Sequence, residues 1–188
     1  MLYFAGYKNS SDIFKREEVE KGTDLVVWSS DMGDPIMPTR PQDRQFTGNI
    51  IQSVMAYAEG KLGPVTIPLN TVDRIIVIGS DRMMNAVREA RHGVMKPFLK
   101  PGHEAIASIN SPMQCMMKEV CGQCLQKHVD PATGKESKIV FSCFDQDQKL
   151  DSVDFKNLNE RLQSNHLQEI LGGFWLDYLL LKEDVPRV

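Results

Sequence analysis

The sequence predicts an α/β protein built around a parallel sheet, and three observations support that class. Short apolar runs rich in β-branched and aromatic residues alternate with segments whose apolar residues recur at helical spacing. Of the 188 residues, 41% are hydrophobic and 25% are charged, which is typical of a globular chain with a sizeable core. One apolar run, Asp24–Trp28, is nearly continuous rather than alternating, as expected of a strand buried on both faces.

The individual elements follow from these patterns in chain order. A serine or asparagine before a helical pattern predicts a cap, and a glycine or a proline-rich stretch predicts an end. The expected N-terminal elements are a strand over 2–6, a helix from Ser10 or Ser11 to about Lys21, a strand over 24–28, a loop over 33–46 and a helix from Thr47 or Asn49 to Gly60 or Gly63. The expected later elements are a strand over 74–79, a helix capped by Ser80, a strand over 103–109, a helix over 152–163 and a helix over 167–181.

Charge and hydropathy argue against two kinds of partner. Lys and Arg total 22 against 25 for Asp and Glu, which gives a net charge of -3 and no basic stripe of the kind that binds phosphate backbones. No apolar run approaches the roughly 18 residues of a membrane helix, and the N-terminal residues lack the pattern of a secretory signal. We therefore expect a cytoplasmic protein that binds neither nucleic acid nor a membrane.

The four cysteines form the most specific pattern in the sequence. Cys115, Cys121, Cys124 and Cys143 are separated by five, two and eighteen residues, and no other cysteine occurs. A plant-type [2Fe-2S] site uses three thiolates in one loop, at gaps of four and two residues, together with a distant fourth. The spacing here differs by a single inserted residue, so it favours a [2Fe-2S] cluster held by the four cysteines.

Two other uses of the cysteines remain open. A zinc site normally takes two close pairs of thiolates around a tetrahedral ion. Because Cys143 has no close cysteine neighbour, zinc would have to recruit Cys115 or His128. A disulfide framework or a set of unconnected thiols fits less well, since disulfide-rich domains are usually secreted and poor in core residues.

The insert between Cys124 and Cys143 predicts a β-hairpin. Apolar and β-branched residues flank the stretch Asp130–Lys135, which contains the proline and the glycine of a turn. Symmetric pairing about the Thr133–Gly134 step would place Cys124 directly opposite Cys143. The hairpin would then close the metal site.

Two strand ends are candidate contacts for a nucleotide. One lies between a strand and a helix N-terminus, where parallel α/β sheets bind anionic ligands. At the other, a lysine would meet a phosphate or ribose and a tyrosine would stack on a base, although a solvated surface lysine is the ordinary alternative. The two sets are Gly79, Ser80 and Asp81, and Gly6, Tyr7 and Lys8.

The last predicted helix is apolar on more than one face. This pattern is consistent with packing into the core of the protein or with docking of a partner. The expected inward stripe is Leu167, Ile170, Leu171, Phe174, Trp175, Tyr178 and Leu179, and the residues that extend it are Leu176, Leu180 and Leu181.

The segment Asn110–Cys124, with Ser142–Asp145, resembles the C-terminal part of ferredoxin-NADP reductase-like electron-transfer flavoproteins, a group that includes the electron-transfer subunit of dihydroorotate dehydrogenase. Ile78–Met83 is similar to that family's glycine-containing nicotinamide turn, and Phe4–Lys8 to the strand end that meets adenosine. The nearest likeness is to the reductase region of large bacterial oxidoreductases joined to a module similar to the small subunit of glutamate synthase.

The sequence departs from the family pattern in three respects. It shows no FAD-binding β-barrel and no Gly-rich first strand-helix unit, so it begins at what resembles the second strand of the nucleotide domain. Five residues follow Cys115 where many relatives have four, and Ile78 stands where relatives often have a cysteine.

The resemblance implies an electron-transfer module. In such proteins NAD(P)H gives a hydride to FAD, and electrons then pass singly through a [2Fe-2S] cluster to a partner protein. FAD would lie on the missing domain or on another chain, so we expect this chain not to be active alone. The implied site residues are Cys115, Cys121, Cys124 and Cys143 for the cluster, Gly79 to Asp81 for the nicotinamide or pyrophosphate, and Gly6 to Lys8 for adenosine.

The expected organisation has three parts. Residues 1–110 form a partial NAD(P)-binding domain of the ferredoxin-reductase type, 111–150 carry the [2Fe-2S]-binding loop and hairpin, and 151–188 form the C-terminal helices. The implied partners are a flavin-binding domain or subunit, a redox partner protein and a second copy docked through the C-terminal helix. The competing hypothesis is a non-catalytic interaction module stabilised by zinc.

Overall fold

The computed structural model describes residues 1–109, 124–164 and 166–183. These residues form a mixed α/β fold with two three-stranded sheets and one two-stranded sheet. The strands are β1 Leu2–Tyr7, β2 Leu25–Ser30, β3 Arg44–Thr47, β4 Arg74–Ile78, β5 Glu104–Ser108, β6 Leu125–Val129, β7 Glu136–Phe141 and β8 Asp147–Lys149. The α-helices are α1 Arg16–Lys21, α2 Ile50–Ala58, α3 Asp81–His92, α4 Phe155–Ser164 and α5 His166–Lys182.

The chain divides into two compact units. The first comprises Met1–Ile75 and Ala86–Glu104, and the second comprises Ile76–Asn85 and Ala105–Val188.

The first unit is built on a parallel sheet in the order β1-β2-β3. All six residues of β2 are buried, which confirms the prediction of a strand covered on both faces. One face of β2 packs on residues from α2 and from later loops; the buried members of this cluster are Leu25, Val27, Val54, Tyr57, Leu69, Met95 and Leu99. The other face packs in a second cluster formed by Ala5, Val26, Trp28 and Ile36.

Helix α2 begins where the sequence predicts. The Asn49 side chain accepts a hydrogen bond from the Gln52 backbone N–H, and the Gln52 side chain bonds back to the Asn49 backbone N–H, so the pair forms a capping box. The helix ends at Ala58, and Gly60 beyond it adopts a φ of 72°, a left-handed conformation that glycine adopts without steric cost.

Two expectations for the first unit are wrong. The predicted helix from Ser10 or Ser11 is interrupted: Ser10–Asp12 form a single 3₁₀ turn, Lys15 has a φ of 52°, and the α-helix begins only at Arg16. The predicted loop over 33–46 ends in strand β3, which pairs with β2. Phe46, the single apolar residue of β3, is partly buried against the core.

Most of β4, most of β5 and all of β8 lie in the second unit, and these strands form a sheet in the order β4-β5-β8. Strands β5 and β8 are antiparallel, so the expectation of a parallel sheet is correct for the first unit but not for this pair. The sequence did not predict β8, which has only three residues. Helix α3 follows β4 with Ser80 as its cap, because the Ser80 hydroxyl accepts from the Met83 backbone N–H at 3.2 Å.

Strands β6 and β7 form the predicted hairpin. Residue 125 lies opposite 141 and residue 128 opposite 138, but Val129 lies opposite Glu136. Ser137 is therefore an extra residue, and a β-bulge results.

The C-terminal helices differ in their packing. Helix α4 begins at Phe155 and not at Ser152 as expected, because Leu150–Ser152 form a 3₁₀ turn and the Asp154 side chain accepts from the Asn157 N–H at 3.0 Å. Helix α5 has the predicted extent, but it does not bury the predicted inward stripe. Its exposed large apolar residues are Leu167, Ile170, Leu171, Phe174, Trp175, Leu176, Tyr178 and Leu181, with exposed fractions between 39% and 70%.

Across the described ranges, no helix combines the length and the apolar character that crossing a membrane requires.

Candidate cysteine site

Two of the four cysteines lie in the described residues, and both stand at the open end of the hairpin. Cys124 directly precedes β6 and is buried, with 3% of its surface exposed. Cys143 follows β7 by two residues and is partly exposed. No disulfide joins the two. Cys115 and Cys121 fall outside the described residues, so their predicted role as ligands stays a prediction.

The pairing of the two cysteines differs from the expected one by a single position. The Ser142 N–H donates to the Cys124 carbonyl oxygen at 2.7 Å, so Cys124 lies opposite Ser142 and not opposite Cys143. The bulge at Ser137 brings the pairing closer to the expected one, because without this extra residue in β7 Cys124 would lie opposite Phe141. The main chains at Cys124 and Cys143 are therefore separated by one strand spacing of about 4.8 Å and one further residue.

Cys143 lies in a tight turn rather than in a strand. The N–H groups of Phe144 and Asp145 both donate to the Phe141 carbonyl oxygen, at 2.9 and 2.8 Å. The chain thus reverses immediately after β7. At this end of the hairpin Cys143 is partly exposed, whereas Cys124 is buried.

The opposite end of the hairpin is closed by Asp130. Its side chain accepts from the backbone N–H groups of Ala132 and Thr133 at 2.8 and 2.9 Å. These two hydrogen bonds lower the pKa of Asp130 below its ordinary value, and the bond from Thr133 has the larger effect. Gly134 occupies the left-handed position of the turn with a φ of 68°, as the turn prediction required.

A buried polar pair supports the cysteine end of the hairpin. His128 and Gln148 are 4% and 3% exposed, and His128 Nε2 lies 2.6 Å from Gln148 Oε1. Gln148 Nε2 donates to the Asp145 carbonyl oxygen at 2.9 Å. No sequence pattern predicts this pair, because an isolated glutamine in a short polar strand has no recognisable spacing to a histidine twenty residues away.

His128 is poorly placed to join a zinc site with Cys124. Residues four apart along an extended strand are about 13 Å apart, whereas two ligands of one zinc ion each lie within about 2.3 Å of it. The histidine ring is also engaged by Gln148. Within the described residues, no group of three or more His, Cys, Asp or Glu side chains is arranged to hold a metal ion.

The first candidate nucleotide segment lies at the end of β1. Gly6 is exposed, and a Cβ there would meet Ile50 Cδ1 at 3.4 Å, so the start of α2 packs closely on this backbone. The ring of Tyr7 stacks on Trp28 with centroids 6.3 Å apart, and burial raises the pKa of Tyr7. Lys8 is exposed, and its carbonyl oxygen accepts from the Met32 N–H at 3.0 Å. One face of the predicted base-stacking ring is thus occupied by Trp28.

The second candidate segment lies between β4 and α3 in the other unit. Gly79 has a φ of 157°, and a Cβ there would collide with the terminal methyl group of Met83. Ser80 is engaged as the helix cap. Asp81 accepts a hydrogen bond from the Asn159 side chain at 2.6 Å, which ties α3 to α4.

The described elements and the cysteine end of the hairpin define a mixed α/β protein with a candidate thiolate site. No family model matches the chain. The chain is similar to the uncharacterized protein RP006 of Rickettsia prowazekii (strain Madrid E), with 39% identity over 105 residues. That stretch is 56% of this chain and 13% of the relative, so the chain matches a small part of a much longer protein.

Proposed function

We propose that this chain is an electron-transfer module in which Cys115, Cys121, Cys124 and Cys143 hold a [2Fe-2S] cluster. The observation that carries the proposal is the position of Cys124 and Cys143 at one end of a single hairpin. Eighteen residues separate them in sequence, yet one hydrogen bond, from the Ser142 N–H to the Cys124 carbonyl oxygen, spans the gap between their strands. Thiolates from a short loop and a distant cysteine are the usual ligands of such a cluster.

The chemistry of the available donors suits iron and sulfide. The two described candidate ligands are cysteines that no disulfide joins, and His128 is too far along β6 to bind the same zinc ion as Cys124. A bound cluster would supply one-electron oxidation and reduction. The chain itself would supply unequal surroundings: Cys124 is buried and Cys143 is partly exposed. Electron exchange with a partner would therefore take place on the Cys143 side.

The finer parts of the proposal concern the nucleotide and the flavin. The α3 N-terminus, with Gly79, Ser80 and Asp81, would receive the nicotinamide or pyrophosphate of NAD(P), and Gly6, Tyr7 and Lys8 the adenosine end. FAD would be carried by a flavin-binding domain or subunit outside these residues. The shared stretch is only 13% of the relative, which is compatible with a module inside a longer chain; that this longer chain is an oxidoreductase of the ferredoxin-reductase type is part of the proposal.

The test is metal and sulfide analysis of anaerobically purified protein, together with a visible spectrum. We expect about two irons and two sulfides per chain and a brown colour. Cys121→Ser and Cys124→Ser should abolish the visible absorbance. Lys138→Ser, an exposed change on the same hairpin, is the matched control and should leave it intact. Iron-free wild-type protein, or unchanged spectra in both cysteine variants, would contradict the proposal.

A second candidate is a non-catalytic interaction module stabilised by zinc. The uncovered apolar surface of α5 favours it, because a chain of this kind rarely leaves so many large side chains exposed without a partner. The zinc ion would be held by Cys121, Cys124 and Cys143, with Cys115 as the fourth ligand. His128 would not take part, because it is too far from Cys124. One zinc per chain and a colourless protein would support this candidate over the first.

A further inference from the structure

One side chain from a different strand, that of Gln148, forms a hydrogen bond with the turn that carries Cys143. Phe144 and Asp145 close the turn on the Phe141 carbonyl oxygen, and Phe144 itself is 67% exposed. The Asp145 carbonyl oxygen then accepts from Gln148 Nε2. Gln148 belongs to β8, which pairs with β5. The turn is thereby attached to the sheet of the second unit as well as to the hairpin.

The orientation of the Gln148 amide is fixed by His128. Because Gln148 Nε2 donates to Asp145, Gln148 Oε1 must act as the acceptor in its contact with His128. His128 Nε2 therefore carries a hydrogen. In the opposite orientation, Gln148 Oε1 would face the Asp145 carbonyl oxygen, which is also an acceptor. The buried amide oxygen would then have no donor, which is costly.

His128 is in turn held by the main chain around it. It lies in β6 and forms an isolated antiparallel bridge to Val153, while the Asp154 N–H donates to the Lys127 carbonyl oxygen at 3.0 Å. The buried chain of contacts thus runs from β6 through Gln148 to the Asp145 carbonyl. None of these groups is one of the four cysteines.

We propose that Gln148 is a positioning residue for Cys143, and that His128 acts through Gln148 by fixing its amide. This inference rests on the proposed function, because positioning Cys143 matters only if its thiolate binds a metal. The ligands of a metal site are held in place by supporting hydrogen bonds. It concerns residues that the cysteine pattern does not include.

The experiment measures alkylation of Cys143 by iodoacetamide in the metal-free, reduced, full-length chain, with peptide mass spectrometry to separate the four cysteines. Gln148→Leu removes both side-chain hydrogen bonds. Gln148→Glu keeps the shape and the acceptor for His128 but cannot donate to Asp145. Lys149→Gln changes an exposed neighbour on the same strand and is the control.

We expect Cys143 to react about five- to tenfold faster in both Gln148 variants, as the loss of a net hydrogen bond implies, and at the wild-type rate in Lys149→Gln. His128→Leu should have a smaller effect, and combining it with Gln148→Leu should add nothing. Cys124 is the internal reference: its rate should not change, because the hairpin itself stays intact. If Gln148→Leu does not fold, Gln148→Glu alone decides the outcome.

An unchanged Cys143 rate in Gln148→Glu, or a parallel rise at Cys124, would overturn the inference, since the second result means a general loosening of the hairpin. Iron loss to a chelator provides a separate reading in the metal-loaded chain, where Gln148→Glu should release iron about five- to tenfold faster. If the wild-type protein binds no iron at all, the proposed function is refuted. The alkylation rates would still decide whether Gln148 holds the Cys143 turn in place.

Discussion

Ser29 Oγ donates a hydrogen bond to Ser53 Oγ over 2.8 Å, in the buried contact between β2 and α2. The two residues are 1% and 0% exposed. Small polar side chains at this position allow the helix to approach the central strand of the parallel sheet. Each hydroxyl depends on the other, because buried polar groups without partners are costly.

We predict that Ser53→Ala lowers the free energy of unfolding by about 1–3 kcal/mol, since Ser29 then loses its acceptor in a buried site. Denaturant unfolding measures the change. The double variant Ser29→Ala with Ser53→Ala should cost less than the sum of the two single variants. Strict additivity would show that the hydroxyl pair contributes nothing as a pair.

Asp43 should be more important for stability than its place in a polar loop suggests. Its carboxylate accepts from the Val26 N–H at 2.9 Å and from the Arg40 guanidinium at 2.8 Å through both oxygens. Asp43→Ala should destabilise the chain by about 2–3 kcal/mol, because it leaves a strand N–H and a partly buried cation without this acceptor. Asp34→Ala, at an exposed position, is the control in the same thermal unfolding measurement and should shift Tm little.

The hairpin turn should weaken in acid. The backbone N–H groups of Thr133 and Ala132 hold the pKa of Asp130 below its ordinary value of 3.8, so the carboxylate stabilises the folded turn. This contribution is fully present above pH 3.8 and is lost as the pH falls through the lower pKa of the folded state. Amide hydrogen exchange at Ala132 and Thr133 should accelerate over that range relative to a reference peptide. Asp130→Ala should show fast exchange at every pH, and a pH-independent difference in the wild type would contradict the expectation.

The exposed apolar surface of α5 should mediate self-association, as a homodimer through the C-terminal helix requires. The rings of Trp175 and Tyr178 stack with centroids 5.5 Å apart and form a rigid aromatic surface next to Phe174. Sedimentation of the wild-type chain should give a mass above 21.3 kDa. Phe174→Glu should weaken the association about tenfold or more, and Glu183→Gln at the helix end should not. A wild-type chain that stays monomeric at high concentration would refute self-association.

Sequence patterns predicted the buried strand β2, the capped helices α2 and α3 and the hairpin, because each has a local signal: a continuous apolar run, a side-chain cap or a proline-glycine turn. They did not predict β3 or β8. Both strands are short, and their pairing is decided by neighbouring strands distant in sequence, which is the information that local patterns lack.

The candidate site was predicted only in part for the same reason. The cysteine spacing pointed to the hairpin end, but the register of Cys124 against Ser142 depends on the bulge at Ser137. No residue type marks that bulge in the sequence. The apolar faces of α5 were predicted correctly as apolar, but hydrophobicity alone did not distinguish a buried stripe from an exposed one.

The bulge at Ser137 also determines where the hairpin tolerates changes in length. A residue inserted between Ser137 and Phe141 would turn the side chains of half a strand to the opposite face, whereas the tip at Ala132 to Gly134 is exposed and lies beyond the paired strands. Reporter peptides or fluorescent labels inserted at that tip should therefore leave the cysteine end unaltered. The tip thus offers a place to attach a probe at a distance from both described cysteines.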